Sequence, residues 1–265
     1  MIKTGVIGAL GKMGKEVVRA VLNAKDMELT MAVDIQGEGL DAGVEAAGKK
    51  TGVLIETNLE NALKTKKPDV IIDFTQPQGI YEHVCMYLEN GIKSVIGTTG
   101  LKEEQIAELK NLSKQNNTSC LIAPNFSTGA VLLMMFSKQA AKYFKNAEII
   151  ELHHNQKKDA PSGTAIKTAQ LMAEENPDFT AGNCPETELI KGARGANSNA
   201  NIRIHSVRMP GYIASQEVIF GASGQIFKIR HDSMDRTCYM DGVLLATRYV
   251  YENNEFIYGL DNIMQ

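Results

Sequence analysis

The chain has little that points to metal, membrane or nucleic acid. Its four cysteines, Cys85, Cys120, Cys184 and Cys238, are widely scattered and form no CxxC pair. That excludes a disulfide scaffold and a zinc ribbon, and predicts reduced thiols in a cytoplasmic protein. The five histidines include no HExxH, so no metal site is expected. The longest apolar runs, such as 130–136, are far shorter than the ~20 residues that cross a bilayer. Residues 1–3 lead directly into a strand-like run, so no signal peptide is expected. A net charge of −3 gives no general pull toward nucleic acid or an anionic membrane. The 43% hydrophobic share is ordinary for a globular protein, and 265 residues suffice for one large domain or two smaller ones.

What is present begins at the N-terminus. Residues 2–7 read as a short apolar strand. They run into Gly8, Ala9, Leu10, Gly11, Lys12, Met13 and Gly14. Met13, Val17, Val18, Val21 and Leu22 then recur at three- and four-residue spacing and mark a helix face. In a strand, glycine turn and helix, the backbone can approach a pyrophosphate seated on the helix N-terminus. A second strand, 28–33, ends at Asp34. That acid follows Gly14 by about twenty residues, the spacing of a carboxylate that holds adenine ribose hydroxyls. The motif is GxxGxxG rather than GxGxxG, so its context carries the reading. No arginine follows Asp34 to pair with a 2′-phosphate, which leans toward NADH. Lys12 could still reach such a phosphate, which leaves NADPH open.

Strands at 70–72, 94–96 and 120–122 alternate with helical segments at 59–63, 81–88 and 103–112. This is the pattern of an α/β fold with a Rossmann-like, doubly wound parallel sheet. Residues 37–52 are glycine-rich and read as an irregular surface loop. Three strands end in Asp73-Phe74-Thr75, Gly97-Thr98-Thr99-Gly100 and Ala123-Pro124-Asn125-Phe126-Ser127, and ligands bind beyond such strand ends. These loops are expected to line the nicotinamide side. From residue 127 the pattern changes. A helix at 131–141 and a strand into His153 come first, then a helix opened by Ser162. A polar excursion at 175–201 contains Gly182, Pro185, Gly192 and Gly195. Meander-like strands at 202–207, 213–220 and 225–229 indicate a second, α+β domain. A helix at 241–250 could pack back on the first. Arg208 and Arg230, at strand ends, could serve subunit packing or closing of the site, but a structural ion pair is the commoner explanation.

The densest chemistry lies at 151–165. His153 and His154 can donate protons near neutral pH. Lys157 and Lys158 add charge. The helix N-terminus at Ser162, Gly163 and Thr164 suits a carboxylate or phosphate. One loop could therefore hold an anionic substrate and protonate it.

Taken together, these motifs and Glu151-x-His153-His154-x-x-Lys157-x-Asp159-Ala160-Pro161-Ser162-Gly163-Thr164-Ala165 closely resemble the 4-hydroxy-tetrahydrodipicolinate reductase (dihydrodipicolinate reductase) family over nearly the whole chain. The resemblance implies NADH- or NADPH-dependent reduction of a cyclic dicarboxylate with loss of water, in diaminopimelate and lysine biosynthesis. It implies a dinucleotide-binding domain at 1–126 completed by 234–265, and a substrate-binding and oligomerisation domain at 127–233 in a homotetramer. By position, His153 is the proton donor/acceptor and Lys157 the second proton donor. His154, Lys157, Gly163 and Thr164 hold the carboxylates. Gly8, Ala9, Leu10, Gly11, Lys12, Met13, Asp34, Gly97, Thr98, Thr99, Ala123, Pro124, Asn125 and Phe126 hold the cofactor. Some members carry a histidine where this chain has Gln216. Two other readings are another amino- or hydroxy-acid dehydrogenase and a dinucleotide sensor without catalysis. The 153–164 segment disfavours the first, and the presence of His153 and Lys157 disfavours the second.

Overall fold

The computed structural model describes residues 1–180, 184–198 and 200–264; Gly182 of the polar excursion lies outside the described residues. In chain order the first elements are β1 (Ile2–Ile7), α1 (Lys12–Asn23), β2 (Met27–Val33), α2 (Ala42–Ala47), β3 (Ile55–Glu56), α3 (Leu59–Lys66), β4 (Val70–Asp73), α4 (Ile80–Glu89), β5 (Lys93–Ile96), α5 (Glu103–Gln115) and β6 (Cys120–Ile122). Then come α6 (Thr128–Ala141), β7 (Asn146–His153), α7 (Gly163–Glu175), β8 (Ala196–Asn197), β9 (Arg203–Arg208), β10 (Ala214–Ala222), β11 (Gln225–Ser233), α8 (Met240–Glu252) and β12 (Phe256–Tyr258). Backbone contacts divide the chain into Met1–Thr128 with Arg236–Gln265, and Gly129–Asp235.

The first unit is built on a seven-stranded sheet ordered β12-β6-β5-β4-β1-β2-β3. Every pairing in it is parallel. The strands β4 and β6 are buried throughout, as expected of parallel strands covered on both faces, which is why residues 70–72 and 120–122 read as apolar runs. α1 buries the stripe Gly14, Val17, Val18 and Val21. α8 belongs to this unit and buries Val243, Ala246 and Val250. Arg248 on α8 is paired with Asp26 at the start of β2, at 2.7 and 3.0 Å. Strand order reverses between β1 and β4, so a crevice opens beyond their carboxyl ends.

Features of this unit that differ from the sequence reading include the edge strand β3, which pairs with β2. The 37–52 stretch contains the helix α2, capped by Asp41, whose side chain accepts from the Gly43 and Val44 N–H groups. Burial acts to raise the Asp41 carboxyl, but backbone hydrogen bonds from Gly52, Val44 and Thr51 bring it down to about 2. The edge strand β12, which pairs with β6, is a further addition.

The second unit has a five-stranded sheet ordered β11-β10-β7-β9-β8. It is mixed rather than a meander: β9 runs parallel to β7, and β10 lies antiparallel on the other side of β7. Leu133 and Ala141 of α6 and Ala165, Ala169 and Met172 of α7 pack on Ile149, Ile204, Val218 and Phe220. The register sets Glu151 beside Ser206 and Gln216, and His153 beside Arg208. That alignment builds the site at the end of β7.

Candidate active site

In the first unit, Gly8 takes a left-handed φ of 77° at the turn leaving β1. Gly11 caps α1 without a side-chain hydrogen bond, so the first N–H groups of the helix have no side-chain cap. Gly14 permits the tight approach of turn and helix: a Cβ there would lie 1.9 Å from the Gly8 carbonyl oxygen. Asp34 Oδ2 accepts the Leu10 N–H at 2.8 Å, so the carboxylate also shapes the glycine loop. Gly8, Leu10, Gly11, Asp34 and Thr75 line one cavity of about 450 Å³. Ala9 is buried beneath the loop, Met13 is half-buried, and Lys12 is exposed at the first turn of α1.

The three strand-end loops are tied to one another. The Gly97 N–H donates to the Asp73 carbonyl at 2.9 Å, and Ala123 N–H to Ile96 at 3.1 Å. Thr98 Oγ1 donates to the Thr75 carbonyl at 3.2 Å. The Phe74 ring fills the place where a Gly97 side chain would start. Phe126 is buried and packs tilted on Phe74, with centroids 5.7 Å apart. Asn125 Oδ1 accepts the Ser127 N–H at 2.9 Å, whereas Pro124 and Thr99 are exposed. The sequence reading did not assign roles to His83 and Tyr87. Buried Asp73 accepts from Thr75, from Tyr87 Oη at 2.7 Å, and lies 3.1 Å from His83 Nδ1. His83 lines the same cavity as Asp34.

In the second unit, β7 delivers Glu151 and His153, whose side chains share one face at i and i+2. His153 Nδ1 lies 2.5 Å from Glu151 Oε2. Arg208 forks onto both Glu151 oxygens at 2.8 Å, and the Ser162 N–H reaches Oε1 at 3.2 Å. Burial favours the neutral acid, but hydrogen bonds with His153, Arg208 and Ser206 hold the Glu151 carboxyl down to about 2. Lys157 Nζ binds both oxygens of Asp159, at 2.9 and 2.8 Å. Ser162 Oγ caps α7 by accepting the Ala165 N–H at 3.2 Å. Gly163 follows at the first helical position, and nothing lies within 4 Å of where its Cβ would be. His154 and Lys158 are exposed, and Thr164 is half-buried. Gln216 Nε2 donates to Thr168 Oγ1 on α7 at 2.8 Å.

Each unit thus assembles its own group. One is a glycine turn with an acid at the next strand. The other is a histidine held by a buried glutamate, with a lysine, beside an open helix N-terminus. Residues 2–126 match the family model "Dihydrodipicolinate reductase, N-terminus", and residues 129–264 match "Dihydrodipicolinate reductase, C-terminus". The chain belongs to the dihydrodipicolinate reductase family. Relatives called 4-hydroxy-tetrahydrodipicolinate reductase include one from Picosynechococcus sp., 53% identical over 97% of this chain and 96% of that protein. One from Thermosynechococcus vestitus is 52% identical over 98% of this chain and 95% of the relative. The solved structure of a dipicolinate-bound dihydrodipicolinate reductase from Paenisporosarcina sp. is 46% identical, with a TM-score of 0.89 over 99% of each chain. Membership accounts for the Rossmann-like first unit and for use of a pyridine nucleotide.

Proposed function

We propose that this chain is the enzyme that reduces 4-hydroxy-tetrahydrodipicolinate to tetrahydrodipicolinate, with loss of water, in diaminopimelate and lysine biosynthesis. The observation that carries the assignment is Lys157 and His153 beside an α7 N-terminus left open at Gly163. Neither packing nor a left-handed backbone calls for glycine there, whereas an approaching carboxylate does. The dipicolinate in the Paenisporosarcina structure is a ring dicarboxylate of that kind.

The nicotinamide supplies a hydride when bound; the protein binds, orients and handles the proton. His153 donates that proton. Lys157 exchanges Asp159 for a substrate carboxylate and acts as the second donor, while His154 and the Gly163 and Thr164 N–H groups hold the acidic groups. The bare α1 N-terminus would hold the pyrophosphate, with Gly8, Ala9, Leu10, Gly11, Lys12 and Met13. Gly97, Thr98, Thr99 and residues Ala123, Pro124, Asn125 and Phe126 would hold the nicotinamide. Asp34 grips the adenine ribose. Its charge opposes a 2′-phosphate, so NADH is preferred and NADPH is accepted through Lys12.

The second unit also forms the oligomer, a homotetramer. Ile226 and Phe227 on the edge strand β11, 71% and 43% exposed, support that reading. Light scattering that gives a monomer would overturn it. Unpaired cysteines support a cytoplasmic location.

The test generates the unstable substrate in place from pyruvate and aspartate semialdehyde with a synthase, and follows reduced-cofactor absorbance. Substrate-dependent oxidation that Lys157→Ala and His153→Ala abolish, with NADH still bound, supports the assignment. NADH binding without substrate-dependent oxidation in wild type would sink it.

A further inference from the structure

We propose that Glu151 and Arg208 act as one positioning device for both proton donors, a role that rests on the reductase reading of the site. Glu151 is fully buried, and an isolated carboxylate there would be costly. Four partners satisfy it: Arg208 through two nitrogens, the Ser162 N–H, Ser206 and His153. An ionised carboxylate only accepts hydrogen bonds. The imidazole nitrogen facing it, Nδ1, therefore carries the hydrogen, and Nε2 is the nitrogen left for substrate. Without the carboxylate, the imidazole could place its neutral-state proton on either nitrogen and rotate.

Arg208 carries the arrangement further. Its Nη2 donates both to Glu151 Oε1 at 2.8 Å and to the Asp159 carbonyl at 2.7 Å. Asp159 in turn holds Lys157. One guanidinium thus links the partner of His153 to the partner of Lys157. The parallel register of β7 and β9 sets His153 opposite Arg208, which makes this span possible. A lysine at 208 could not reproduce it, because it lacks the planar fork.

The competing account is a structural ion pair. It makes a distinct prediction, since replacing a buried pair by apolar residues of similar volume often leaves stability unchanged. The test uses Glu151→Gln, Arg208→Lys and the double variant Glu151→Leu/Arg208→Met. Nitrogen-15 spectra of labelled histidine report the His153 tautomer, and steady-state rates report kcat and KM. Glu151→Gln is expected to lower kcat about 100-fold with KM within about threefold, and to abolish the pure Nδ1–H signature. Arg208→Lys is expected to lower kcat about tenfold while dipicolinate still binds. The double variant should regain the wild-type unfolding midpoint without regaining kcat. If it regains both, or if Glu151→Gln keeps the tautomer and a kcat within about threefold of wild type, the proposal is wrong. Should a single variant fail to fold, the double variant decides. Should wild type show no turnover, the reductase reading falls, and the tautomer comparison still judges the Glu151 contact.

Discussion

Alanine at Gly163 and alanine at Gly14 should push the protein in opposite directions, although both replace glycine within a helix. At Gly163 the backbone is not left-handed, and a Cβ meets nothing within 4 Å. Alanine gains up to about 1 kcal/mol over glycine in a helix interior, so about 0.5 kcal/mol is expected at this first helical position. For a chain of this size that raises Tm by about 1–2 °C. The same methyl obstructs the N-terminus of α7, where a carboxylate would approach. Dipicolinate affinity and kcat/KM should fall about tenfold, equivalent to about 1.4 kcal/mol. At Gly14 the new Cβ would sit 1.9 Å from the Gly8 carbonyl oxygen, 2.7 Å from its carbon and 2.9 Å from the Ala9 Cα. The turn must retreat by more than an ångström, a strain of about 2 kcal/mol or more, which exceeds the helix-propensity gain. NADH binding should weaken with it. Thermal unfolding by circular dichroism, calorimetric titration with dipicolinate and NADH, and steady-state rates measure these quantities. A Gly163→Ala protein that is more stable and binds dipicolinate as wild type does would refute the α7 N-terminus as a carboxylate site.

Acid should weaken the protein through Glu151. Its folded-state pKa, about 2, lies below the ordinary carboxylate value, so the unfolded chain binds the extra proton. The stabilisation, on the order of 3 kcal/mol, is complete above the ordinary value and is lost as pH falls toward 2. Urea unfolding from pH 6 to pH 3 should show the loss in wild type and a flatter profile in Glu151→Leu/Arg208→Met; identical profiles would refute it. Asp159→Asn removes the internal anion from Lys157 and should tighten dipicolinate binding about threefold, read by titration; weaker binding would make Asp159 a support rather than a competitor. Asp34→Asn should move the NADH/NADPH ratio of kcat/KM toward NADPH about tenfold, and an unchanged ratio would free Asp34 from ribose recognition.

Local pattern carried much of this architecture. The strands at 2–7 and 120–122 and the cap at Ser162 stand in the sequence as they do in the fold, because apolar runs and a serine before a helix act over a few residues. What was hidden acts over longer range or through weaker side chains. The α2 helix is made of alanine and glycine with one valine and one glutamate, and its stop and start signals were lost among neighbouring glycines. Its order comes from Asp41, which gathers N–H groups as far away as Gly52. Strand β12 is three residues long and exists because β6 offers it an edge. The parallel pairing of β9 with β7 has no local signature. At the site, His153 and Lys157 were visible as residue types, but their partners were not. The Arg208–Glu151 pair joins residues 57 positions apart, and no periodicity announces such a contact. His83 was missed for a milder reason. Asp73 sits ten residues before it, and the strand-end acid was the available clue.

The division of the chain also sets an order of manufacture. The sheet of the first unit is written almost entirely before residue 128, yet β12 and α8 come after the whole of the second unit. A nascent chain emerging from the ribosome therefore holds β6 with one bare edge while residues 129–235 are made. The contiguous second unit can fold in that interval, domain by domain, as large proteins do. The first unit cannot close until the last helix and strand arrive. Any chain that stops short of residue 256 leaves β6, rather than the three-residue β12, at the sheet edge, where another chain can pair with it. The part of the protein written first is the part finished last.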